Sequence, residues 1–429
     1  MTALVSLLCI YGYAILFNIF AKKSVSVSIF LAISSIIVLI FTFGLIDFLK
    51  YGTYIVFYGG FISLIIMFLF YKKEIFVFAT SVPVVIYTVM SIVYLYLMKD
   101  AQLFFWDEYS HWGAFIKEMY YFHHFYDANS VAAHLRYPPG ISVWDYFILL
   151  TYGFYSEGSL YFAYFLILFS SVLMMYEKLQ WRQYYWIVTI FASQMILFAT
   201  YGHWFSCIYV DHIIGAMFAG MLLAYLVDTY TDKELLYFIF PAIAIVLVKE
   251  IGLFFVLSFV GLVLLLSFYN AKHKNSALGA IKEIKKIVLA MLIVFISSFL
   301  VLKLWDSNRD SFLIPKENQS ISGIVKSIIS DEKVLDAKTQ EEVKKRFWEV
   351  VQNQQLHKEK VSLNYNEFSY DIMNQYQKEY KLSTFGTLLF FLIIVTFAYF
   401  VAYEKDRKKS SLIIGGYLVC VAMGYLLLL

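Results

Sequence analysis

The chain of 429 residues is 61% hydrophobic, 20% aromatic and only 15% charged, with a mean hydropathy of +0.70, a balance that excludes an ordinary soluble domain and marks an integral membrane protein. Its net charge of +3 is too slight to draw nucleic acid. Cys9, Cys207 and Cys420 lie far apart in apolar stretches, which excludes a disulfide framework and a zinc motif.

Apolar runs near the ~20 residues that cross hydrocarbon as a helix recur along the chain, and no strand-period barrel pattern appears. The expected fold is therefore an all-α polytopic transmembrane helix bundle of about twelve spans (11–14), with juxtamembrane helices on its outer face. Met1-Thr2-Ala3-Leu4 has no basic n-region and no small-residue cleavage pattern before Lys22, so it reads as a retained first helix. N-terminal spans follow at about 3–20, 25–47, 52–71 and 75–97. The basic turns Lys22-Lys23 and Lys72-Lys73 fall on alternate sides, which puts them in the cytoplasm and the N-terminus outside.

Residues 98–158 then form an external region with Trp106-Asp107-Glu108-Tyr109-Ser110-His111-Trp112-Gly113, Lys117 and Arg136-Tyr137-Pro138-Pro139-Gly140. The apolar piece 141–155 is too short for a ~30 Å hydrocarbon core and carries Asp145. It is expected on or partly in the outer leaflet. That placement keeps Lys178, Arg182, Lys233 and the run from Lys272 to Lys286 cytoplasmic. A central bundle (159–304) precedes a polar external domain (305–383), in which Thr339 and Glu342 form a capping box, and two C-terminal spans (384–429) close the chain.

The ionisable residues of the outer side carry the functional signal. Asp107, Glu108, His111, Lys117, Arg136, His203, Asp211, His212, Lys249 and Glu250 all fall there. Charge at the edge of hydrocarbon costs ~2.5–3.5 kcal/mol per residue, so such groups face a wet cavity or pair with one another. Asp107 and Glu108 point about 100° apart on a helix, so one acts on a substrate oxygen and the other supports it. Lys249-Glu250 interrupts an apolar stretch that must go out and come back, which suits Lys249 to hold a lipid-linked phosphate. His203, Cys207 and Asp211 share a helix face as a polar stripe, with no further ligands to make a metal centre.

The order of these pieces, an acidic pair in an outer loop, an aromatic and His-Trp after it, a Tyr-Pro-Pro turn and a later Lys-Glu-x-Gly, resembles the GT-C superfamily of polytopic glycosyltransferases. The resemblance implies a GT-C-like bundle and an inverting transfer of sugar from a polyprenyl-phosphate carrier to a hydroxyl of an extracytoplasmic glycan, lipid or protein. It also implies Asp107 as general base with Glu108 as second candidate, Pro138 and Pro139 as the pair that fixes the loop, and Lys249 as the cation on the carrier phosphate. Arg136, Tyr137, His111, Lys117, His203, Asp211, His212 and Glu250 complete the expected substrate-binding set. No cofactor is required under this scheme, although the carboxylates would accept a divalent metal. Four apolar segments precede the acidic loop where the usual pattern has one, and the late outer domain is similar to that of O-antigen polymerases and ligases. A flippase of lipid-linked sugars is the rival reading from another class, and composition is compatible with a bacterial inner or plasma membrane.

Overall fold

The computed structural model describes residues 3–103, 105, 107–200, 207–274, 277–312 and 314. Among these residues the chain is all-helical, without a strand. In order, the helices are α1 (Ala3–Ile19), α2 (Val25–Leu45), α3 (Leu49–Phe70), α4 (Lys72–Thr80), α5 (Val82–Met98), α6 (Gly113–Phe122), α7 (Gly140–Tyr152), α8 (Glu157–Val172), α9 (Tyr184–Thr200), α10 (Val210–Val227), α11 (Ile239–Val248), α12 (Gly252–Lys274) and α13 (Ala277–Ser311). Six of the helical stretches are long and apolar enough to cross a bilayer, and α4 with α5 makes a seventh if that bent pair is one span. The expected spans at 384–403 and 411–429, the Thr339–Glu342 capping box, most of the polar domain, His203 and Cys420 lie outside the described residues.

In hydrocarbon a helix must satisfy its polar groups internally, and the hydroxyls here do so locally. Ser34 and Ser35 donate to the carbonyls of Phe30 and Leu31 at 2.9 and 2.7 Å, Thr53 to Leu49 at 2.7 Å and Ser91 to Tyr87 at 2.7 Å. Association of such helices rests on close packing, since lipid is as apolar as the partner helix. Between α1 and α3 a side chain on Gly12 would sit 1.9 Å from the Gly60 carbonyl oxygen, so the backbones touch there.

The two ends of the bundle differ in chemistry. At one, Lys23 donates to the Thr229 carbonyl at 3.1 Å and lies 3.5 Å from Glu234, Ser24 N–H donates to Asp228 at 2.9 Å, and Glu177 accepts the backbone N–H groups of Val25 and Ser26 at 3.1 and 2.8 Å. These carboxylates cap the N-terminus of α2, whose first N–H groups have no partner within the helix. At the other end, described residues of the loops between α5 and α7 bond to α8 and α13. Leu103 N–H donates to Glu157 at 2.8 Å, and Trp305 Nε1–H donates to the Arg136 carbonyl at 2.8 Å.

Three boundaries differ from the sequence reading. The stretch 75–97 is broken at Ser81, where the chain turns by 62°; Pro83 stands in the first turn of α5, where its missing N–H costs nothing. Helix α13 runs on to Ser311, so Trp305 lies inside a helix instead of opening the polar domain. Helix α7, expected on or partly in the outer leaflet, is enclosed by helices and not by lipid: every residue from Gly140 to Leu149 is buried, among α1, α2, α3, α6, α8 and α11. At about 1.5 Å per residue its 13 residues are too few to cross, and being apolar nearly all round it packs inside the bundle. It also leaves from and returns to the same end. Gly140 abuts Leu247 at the end of α11, and Tyr155, past its other terminus, packs on Tyr120 and Tyr121 of α6.

Candidate active site

The acidic loop enters through Phe105 and forms a wide π-helical turn over Glu108–Trp112 before α6. Such turns are rare and recur at functional sites. Glu108, fully enclosed, anchors it: one oxygen accepts the Ile208 N–H at 2.7 Å, the other the Phe105 N–H at 2.9 Å and the Tyr161 hydroxyl at 3.1 Å. That carboxylate ties the loop to α8 and to the residues that start α10. Tyr164 adds a hydroxyl bond of 2.5 Å to the Tyr209 carbonyl. Glu108 therefore supports, and its half-buried neighbour Asp107 is the carboxylate with room to act.

Asp107 meets groups from three other parts of the chain. Tyr209 donates its side-chain hydrogen bond to it, and the charges of Asp211 at the start of α10, Lys249 at the end of α11 and His134 in the loop all act on it. Burial and then the Asp211 charge push the Asp107 carboxyl above the ordinary aspartate range, against the opposing pull of Lys249, Tyr209 and His134. Lys249 Nζ lies 2.9 Å from Asp211 Oδ1. Burial disfavours its ammonium, but Asp211, Tyr137 and Asp107 together outweigh this and raise its pKa, so it stays a cation at the mouth of an apolar hairpin. Its placement follows from the break in the chain: α11 ends at Val248 and α12 begins at Gly252.

An aromatic wall stands beside the charges. Tyr137 stacks between Trp112 (centroids 5.4 Å apart, planes at 14°) and His134 (5.0 Å, 16°), and His111 lies edge-on to Tyr137 at 5.6 Å. His111 exchanges a 2.7 Å hydrogen bond with Ser110. Burial, with His134 and Lys249 nearby, pushes its pKa down to about 3, so it is a neutral ring at physiological pH. The Tyr-Pro-Pro turn is fixed from behind by the Tyr126 hydroxyl on the Tyr137 carbonyl, and Pro139 leads directly into α7.

Asp107, Asp211 and Lys249 thus share one cluster with His111 and Tyr137 at its edge. Arg136 is committed elsewhere: its guanidinium bonds Asp310 at 2.9 Å and the Ile314 carbonyl at 2.9 Å, with Asp306 at 3.7 Å. Lys117 sits over the Tyr155 ring at 5.4 Å, near Glu157 rather than Lys249. His212 is buried in α10 next to Tyr209, ring centroids 6.4 Å apart, and Glu250 is exposed in the hairpin turn. Among the described residues no three His, Cys, Asp or Glu side chains converge as a metal-binding group. Tyr209 and His134 were missed by the sequence reading. Tyr209 stands two positions before Asp211 and is one of 36 tyrosines, while His134 bears only a left-handed backbone, φ 57°, which no local sequence signal announces.

The arrangement offers a carboxylate of raised proton affinity and a cation that can bind an anionic group, backed by a packed aromatic stack at one end of an apolar bundle. Comparisons with protein-family models, with curated proteins and with solved structures find no match, so the fold and this cluster carry the functional reading alone.

Proposed function

We propose that the protein is a membrane glycosyltransferase that moves a sugar from a polyprenyl-phosphate carrier to an acceptor hydroxyl, with inversion at the anomeric carbon. The observation that carries this reading is that Asp107 and Lys249, 142 positions apart in sequence, lie near enough for their charges to act on each other, with Lys249 paired to Asp211 between them in sequence. Lys249 would exchange part of its bond to Asp211 for a phosphate oxygen, while the prenyl tail stays among lipids. The phosphate adds negative charge beside Asp107, which strengthens that carboxylate's hold on a proton as the acceptor hydroxyl attacks. The carrier phosphate leaves with the electron pair of the glycosidic bond.

Purified protein in nanodiscs, given radiolabelled polyprenyl-phosphate sugars and an extract of envelope glycans, should form labelled product, and Asp107→Asn should abolish it without loss of folded protein. Product formation that survives both Asp107→Asn and Lys249→Ala would remove the site from the reaction.

A further inference from the structure

A cleft opens at the same end of the bundle as the charged cluster, between the α2–α3 turn, the loop after α6 and the last turn of α13. It encloses about 340 Å³, at the lower end of the ~300–1,000 Å³ usual for small-molecule sites. Asp47, His124, Phe125, Asp127, Asn308 and Phe312 line it.

The polarity of each lining group can be worked out. His124 Nδ1 lies 2.7 Å from the Phe125 carbonyl; a carbonyl only accepts, so Nδ1 donates there and Nε2 is the ring's remaining polar atom. Asn308 Oδ1 is taken by the Arg309 guanidinium at 2.5 Å, which leaves the amide NH₂ as donor. Asp127 accepts the Asn129 N–H at 2.8 Å and keeps further lone pairs. Asp47 has a left-handed backbone, φ 59°, and is exposed. Phe125 is buried with its ring 5.5 Å from Trp305, while Phe312 stands 40% exposed at the rim. Acceptors, one donor and two apolar rings around a volume of this size match a pyranose, whose hydroxyls need both kinds of partner and whose C–H face needs an aromatic one. The two carboxylates disfavour an anionic sugar.

We propose that this cleft binds a neutral sugar unit of a glycan and is where the acceptor is held. As an acceptor site it rests on the transferase reading above; as a sugar-binding cleft it stands on its own lining. The loop that forms its wall at His124–Asp127 continues to Tyr137 in the charged cluster, and Arg309, bonded to the Tyr126 carbonyl, holds that loop against α13.

Saturation-transfer NMR on the full-length protein in nanodiscs, with cellobiose, lactose and mannobiose as probes and cellobiuronic acid as the anionic counterpart, tests the binding. At least one neutral disaccharide should give signal, stronger than the uronate, and both Asp47→Asn and Phe312→Ala should weaken it by about fivefold, the loss of one contact. Both are surface changes, and Asn tolerates the left-handed backbone at 47. Signal unchanged in both variants, a stronger uronate signal, or no signal from any neutral sugar overturns the proposal. Transfer from labelled carrier, measured on the same samples, separates the two readings. Sugar binding lost in the variants while no sample transfers leaves the cleft and removes the transferase; transfer with binding indifferent to both variants does the reverse.

Discussion

Asp107 and Glu108 are adjacent carboxylates with opposite duties, and substitution should separate them. Asp107→Asn removes the base and should lower transfer by about 10²–10⁴-fold, while the thermal midpoint holds or rises because a half-buried charge is removed. Glu108→Gln should act on stability: an amide NH₂ would face donors that now converge on a carboxylate, at a cost of about 1–3 kcal/mol, read as a lower midpoint in nanodiscs. The pH profile gives a sharper test. Under the proposed mechanism transfer needs ionised Asp107, so the rate should fall as pH drops through its pKa, and burial with the Asp211 charge places that acidic limb above the ordinary aspartate value of ~3.9. Tyr209→Phe removes a hydrogen bond that favours the carboxylate and should move the limb to higher pH. Asp211→Asn removes a repelling charge and should move it lower. Shifts in the same direction would mean that Asp107 is not the titrating base.

The legibility of these residues follows from their surroundings. Asp107, Asp211 and Lys249 stood out because charge interrupting apolar sequence is costly and must converge on something. Arg136 stood out equally and is bound to Asp310 and to the Ile314 carbonyl; a loop cation reads the same whether it faces a phosphate or a helix end. Tyr209 could not be singled out among so many tyrosines, because its role comes from the neighbour it meets and not from its own surroundings in sequence.

At the scale of elements, α7 links the fold to the site. A side chain on Gly140 would come within 2.4 Å of the Leu247 carbonyl carbon and 2.7 Å of Val248 N, backbone atoms that cannot swing aside. Gly140→Ala should therefore push α7 from the end of α11, costing about 1–3 kcal/mol, and displace Lys249, the next residue after Val248. The expected result is a lower thermal midpoint together with weaker capture of the carrier, seen as a raised KM. A change in kcat alone would mean that the α7–α11 contact does not position Lys249. The short length of α7 and its Asp145 point to a place on or partly in the outer leaflet, but not to what surrounds it there. Hydropathy reports transfer from water and cannot distinguish lipid from neighbouring helices as the apolar partner, so its enclosure by six helices was invisible. The same limit hid the break at Ser81, where Pro83 alone hinted at a new helix start.

For the whole molecule, the distribution of lysines predicts an orientation. Lys23 and Lys233 belong to one end and the charged cluster to the other, and lysine-rich turns remain in the cytoplasm, so the site should face outward. In a cysteine-free background, Cys introduced at exposed Ala133, in the loop beside the cluster, should react with a membrane-impermeant maleimide on intact cells. Cys introduced at exposed Lys233 should react only after permeabilisation. The polarity matters to the chemistry as well as to the topology. A prenyl-linked donor is confined to the membrane and carries no nucleotide, so an outward site can use it where nucleotide sugars are absent. Labelling of Lys233→Cys but not Ala133→Cys from outside would place Asp107 and Lys249 in the cytoplasm, where a lipid-linked donor has no such advantage and the transferase reading loses its main physical reason.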